Sequence, residues 1–180
     1  MKTPFIQPRF TGPRFDEHSL PVDVARDLAG YQDLVVQLAK HLYLKDNPER
    51  QRVPKGFESS FELHLEKVDD GSAKPLLMAV ATALTLDLGA ASYFTQARDL
   101  ITRCIAAEIP PTEFPKELLS HFNVVGRSLQ DGETMELPDT GTEKPAVLTP
   151  KRRRDLVLSA DKVYDKQVEL SGFIGEVDFE

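Results

Sequence analysis

The chain has 180 residues, a length that suits one domain with at most a small appendage. With 41% hydrophobic and 28% charged residues it can build a core, and wholesale disorder is not expected. A formal charge of −7 argues against a general polyanion binder, and the single cysteine excludes an intramolecular disulfide or a multi-cysteine zinc site.

The opening MKTPFIQPRF is broken by prolines and lacks the apolar run of a signal peptide, so the chain reads as an intracellular, cytoplasmic protein. The longest apolar stretch, 76–91, contains Asp87 and falls short of the roughly 20 residues a spanning helix needs, so no membrane association is expected. Residues 1–19 carry the triplet Pro-Arg-Phe twice, and proline restricts both itself and its predecessor to extended backbone. We read an extended N-terminal arm. Its phenylalanines either pack on the domain or anchor a protein partner, with Arg9, Phe10, Arg14 and Phe15 as the candidate contacts. Asp16, Glu17 and His18 could begin a metal site, although their spacing is unspecific.

The core is expected over 20–137. Val24, Leu28, Tyr31, Val35, Leu38 and Leu42 recur at steps of four and three, which predicts an amphipathic helix with Asp23 as its N-cap and Asn47-Pro48 as its stop. A charged connector, 49–56, follows. From Phe57 the period becomes two, with Phe61, Leu63 and Leu65 alternating against Glu62, His64 and Glu66. The turn Asp69-Asp70-Gly71-Ser72 then predicts an antiparallel hairpin over about 57–86, irregular or at an edge near Pro75. Beyond Ala81 that segment is ambiguous between strand and buried helix.

Two helices come next. Ser92 is placed to cap the first, which carries Phe94, Ala97, Ile101 and Cys104 on one stripe. Pro115 is placed to start the second, which carries Leu118, Phe122 and Val125 and ends at Gly126. A short strand is expected at 133–137, and 138–148 reads as an exposed loop or linker. Over 149–180, Thr149-Pro150 opens a fourth helix. Alternation then predicts a terminal strand over 167–179, interrupted by Gly172 and Gly175. That strand either completes the sheet of this chain or pairs within a longer protein or assembly. Segregated helices and strands favour α+β, with a mainly antiparallel sheet and about four helices.

Motifs are few. The run Lys151-Arg152-Arg153-Arg154 lies in a predicted first helical turn, where the helix dipole prefers negative charge. It is answered by acids within the chain, by a partner or nucleic acid, or by a small anion. Successive helical residues diverge by about 100°, so all four cations cannot face one ligand. Glu62 and His64, with Glu66, share a strand face and resemble weak metal or acid–base candidates, yet charge on a solvent-facing strand surface is ordinary. Cys104 sits at core spacing and reads as a small buried hydrophobe rather than a nucleophile. Pro138-Asp139 with Glu143-Lys144 has the order of a metal-nuclease motif, but adjacent Glu and Lys would point apart. No nucleotide-loop, serine-hydrolase or zinc-protease signature is present.

The leading reading is therefore a non-enzymatic interaction or regulatory protein, without a cofactor, that binds a protein partner or a second copy of itself. The alternatives are a nucleic-acid-binding module using 151–154 and a metal-dependent hydrolase using the acid–histidine clusters.

Overall fold

A computed structural model describes residues 2–15, 19–69, 73–81, 90–138 and 145–160. The chain is α+β, and among the described residues its strands form two antiparallel three-stranded sheets rather than one.

The first sheet contains β1 (Lys2–Ile6), β3 (Phe61–Asp69) and β4 (Lys74–Ala81) in the order β1-β4-β3. The expected hairpin is thus present, and 82–86 lie outside the described residues. Pro75 sits in the central strand, yet β1 pairs only as far as Leu77, so among the described residues β4 has β3 alone as its neighbour at Pro75. The missing N–H falls where no ladder bond is asked of it.

The second sheet contains β2 (Arg9–Thr11), β5 (Thr134–Leu137) and β6 (Ala146–Leu148) in the order β2-β5-β6. Phe10 N–H donates to the Ala73 carbonyl at 2.8 Å and joins this sheet to the mouth of the hairpin. The N-terminal stretch is extended, as expected, but it is not separate from the core. It gives one strand to each sheet, because a chain held extended by proline offers the geometry a sheet edge needs. β6 revises the reading of 138–148 as an exposed loop: Ala146 and Leu148 are buried on one face while Val147 faces solvent. Residues 139–144 lie outside the described residues, as does the whole expected strand 167–179.

Helix α1 (Val24–Asp46) runs for 23 residues, about 34 Å at 1.5 Å per residue. Its stripe is wider than the heptad-like positions alone, since Leu34, Val36, Ala39 and Tyr43 are buried beside Val35 and Leu38. It packs against α2 (Ala90–Ala106). A ladder of rings bonds these helices to the first sheet. Phe5 meets Phe61 edge-on at 5.0 Å, Phe61 stacks on Phe94 at 4.4 Å, and Phe57 bridges Phe94 and Tyr43, each at 5.3 Å.

Local expectations need four revisions. Asp23 makes no side-chain cap; its backbone is already helical and its carboxylate is turned to Arg14 at 3.0 Å. Ser92 lies inside α2, whose described span starts at Ala90. The segment after Pro115 is a 3₁₀ helix, Lys116–Asn123, rather than an α-helix, burying Leu119 and Phe122. Its C-cap is Val124, not Gly126 as expected; Gly126 sits in the turn just beyond, in the left-handed region at φ +74°, with Leu148 Cδ2 only 2.6 Å from where a Cβ would stand. By contrast Thr149 caps α3 (Pro150–Ala160) as expected, its Oγ1 accepting from Arg152 N–H at 3.0 Å.

Candidate functional site

The arm residues come first. Phe10 and Phe15 are 0% and 1% exposed, with ring centroids 5.5 Å apart. Their burial agrees with the reading in which they pack on the domain; to anchor a partner they would have to leave the core. Arg9 lies across β2 and β5 from Glu136 at 3.6 Å. Arg14 is the centre of a polar cluster. It forks onto Glu133, donates to the Ser128 carbonyl at 2.7 Å and reaches Asp23. The close approach to Glu133 depends on Gly12 at φ +125°, because a Cβ there would stand 2.7 Å from Glu133 Cγ.

Glu133 is buried, and Arg14 holds its carboxyl below the usual glutamate range, outweighing the burial that pushes the other way. Asp27, also buried, accepts from Ser128 Oγ at 2.6 Å and from Ser128 N–H at 3.2 Å. Here burial dominates and raises the carboxyl above its ordinary value despite those bonds. Arg14 and Asp27 thus grip the same residue, Ser128, from opposite sides. Neither Asp27 nor Glu133 stood out in sequence, since only tertiary structure distinguishes them from twenty-seven other acids. The cluster is closed and fully bonded, and its chemistry is that of a clasp.

The basic run is answered largely from within the chain. Arg152 donates to the carbonyls of Cys104 at 2.8 Å, Ile105 at 3.1 Å, Glu108 at 3.0 Å, and Ala107. These are the unpaired carbonyls at the end of α2, where the helix dipole welcomes a cation. Arg153 does the same for the end of the 3₁₀ helix, donating to Phe122 O at 3.2 Å, and Lys151 pairs with Asp155. Arg154 is exposed and has no partner among the described residues. The expected conflict with the dipole of α3 is resolved because two side chains serve the C-termini of other helices.

His64 lies 3.4 Å from Glu62 on the exposed side of β3, and Glu66 pairs instead with Lys2 at 3.1 Å. Asp16 and His18 lie outside the described residues, and among those described no three His, Cys, Asp or Glu side chains converge to hold a metal. Cys104 is buried, which pushes its thiol up to about 12, so it is protonated and shielded at neutral pH. No helix among the described residues is long and apolar enough to cross a membrane.

Among the described residues, the open surfaces include the outer edge of β3 and a cleft beside α1. On the first, β3 is an outer strand with β4 as its one neighbour among the described residues, and Leu63 N–H points away from β4 to the Gln32 side chain at 2.7 Å. An apolar groove of about 230 Å³ lies there between Ala25, Leu28 and Ala29 of α1 and Leu63, Leu65 and Leu77. Leu65 is 51% exposed on the strand face that is otherwise turned to the helices. On the second, the connector after α1 folds back against Lys40 and Leu44 to form a cleft of about 590 Å³ with Arg52, Val53, Pro54 and Lys55. In sequence these cations read only as part of a charged connector. No protein family, no curated protein and no solved structure matches this chain.

Proposed function

We propose that the chain is a cytoplasmic interaction protein whose protein partner lays an extended segment along the outer edge of β3. The observation that carries this reading is the coincidence of a strand edge with no partner strand among the described residues, an open apolar groove and a half-exposed Leu65. An added strand would draw affinity from main-chain hydrogen bonds and specificity from alternate side chains entering the groove. Proteins ordinarily blunt such edges, and here the defence is partial. Gln32 occupies the Leu63 amide, and the ladder is irregular between Leu65 and Lys67. Both devices discourage a flat, self-complementary edge, which favours a distinct partner over a second copy.

The nucleic-acid reading draws less support, since of the 151–154 run only Arg154 has no partner among the described residues. Native mass spectrometry of the protein purified gently from its own cells tests the proposal, with Leu65→Lys as the companion variant. Leu65 is half exposed, so the charge is tolerated in the free fold, which far-UV circular dichroism checks. A protein complex present in the wild type and lost in Leu65→Lys supports it. The same complex in both, or a bare monomer in the wild type, overturns it.

A further inference from the structure

We infer that the cleft between the C-terminal half of α1 and the 51–59 connector binds a small organic anion that carries phosphate. Lys40, Arg52 and Lys55 line it against one acid, Glu58, so the local charge is positive in a chain whose formal charge is −7. Lys40 and Glu58 are 2.7 Å apart and largely cancel. Arg52 and Lys55 are both exposed, and neither has an ion pair among the described residues. A guanidinium matches phosphate oxygens two at a time and an ammonium adds a point charge, so these two lining residues offer complementary contacts to a phosphate.

The walls are set before any ligand arrives. Phe57 is fully buried between Tyr43 and Phe94 and pins the end of the connector. Gly56, at φ +86°, lets the backbone turn so that Phe57 N–H reaches the Pro54 carbonyl at 3.1 Å. A preformed site loses less entropy on binding. The lining also includes apolar Leu44, Val53 and Pro54, which suit a ring or hydrocarbon part that phosphate alone does not possess. The volume lies in the usual range of about 300–1,000 Å³ for small-molecule sites.

Charge selects the ligand class. The positive lining opposes a metal ion, and the overall negative charge opposes a long polyanion. A compact anion is confined to the favourable region.

The test is a titration of the isotopically labelled chain with adenosine diphosphate, followed by backbone amide shifts, in the wild type, in Arg52→Gln with Lys55→Gln, and in Arg154→Gln. The substituted side chains are exposed, so all three proteins fold. The expected result is saturable shifts confined to 40–59, with binding about tenfold weaker or worse in the double variant and unchanged in Arg154→Gln. Shifts that never saturate, equal binding by the double variant, or equal weakening by Arg154→Gln would each overturn the assignment. None of these outcomes bears on the β3 edge.

Discussion

Arg14 meets Glu133 in a two-pronged ion pair, Nε to Oε1 at 2.7 Å and Nη2 to Oε2 at 2.8 Å, between residues 119 positions apart in the chain. It ties the N-terminal stretch to the turn before β5, and its two ends differ in exposure: the Arg14 side chain is 26% accessible and that of Glu133 is 2%. Removing Arg14 therefore strands a buried carboxylate with the Gln130 amide as its remaining donor. We expect Arg14→Ala to cost about 3 kcal/mol. The paired replacement Arg14→Met with Glu133→Leu should cost less than that single change, because it leaves no unpaired charge. Urea unfolding of the three proteins measures both; a double variant worse than Arg14→Ala would contradict the prediction.

The two buried carboxylates respond to pH with opposite signs. Glu133 has a folded value below its ordinary 4.5, so its stabilisation is present above that pH and is lost as pH falls through the folded value. Asp27 has a folded value above its ordinary 3.8, so the folded state holds its proton longer and stability falls as pH rises between those two values. Asp27→Asn keeps an acceptor and a donor for Ser128 and removes the charge. Its stability relative to wild type should therefore improve from pH 3.5 to neutrality, measured by denaturant midpoints at fixed ionic strength. A relative stability that is flat or declines over that span would show that Asp27 is not held above its ordinary value.

Arg152 closes the end of α2 through four carbonyls, a geometry that needs a planar fork. We expect Arg152→Ala to cost about 2 kcal/mol, lowering the melting temperature by roughly 4–8 °C for a chain of this size. Arg152→Lys should recover less than half of that loss, since one ammonium cannot reach all four acceptors. Differential scanning calorimetry decides, and full recovery by lysine would mean that charge alone suffices.

Gly30 lies inside α1, where alanine would ordinarily be favoured by about 1 kcal/mol. Here a Cβ would stand 2.6 Å from Val124 Cγ1 and 3.1 Å from Val124 Cβ, and a β-branched side chain cannot swing aside easily. Gly30→Ala is expected to destabilise by about 1–3 kcal/mol. Adding Val124→Ala should restore stability towards wild type, because Val124 is 38% exposed and little core is lost with it. Thermal unfolding of the single and double variants checks the order.

The elements that repeat were legible in the sequence. The stripe on α1, the alternation from Phe61 and the Thr149 cap all lie within a few residues of the groups that satisfy them. The 3₁₀ form after Pro115 and the strand at Ala146–Leu148 were less legible, because a three-residue strand carries too short a pattern to separate from a loop.

What the amino-acid sequence determined by itself was the class of object: local periodicity set the long helices and the β3–β4 hairpin, and their segregation set α+β. Tertiary structure alone decided what each charge does. Arg14 faces Glu133, Arg152 faces the end of α2, and Arg52 and Lys55 line an open cleft, partners that no spacing along the chain identifies. Periodicity is a property of neighbours along the chain, whereas the worth of a charge depends on the partners and water that folding brings within a few ångströms of it.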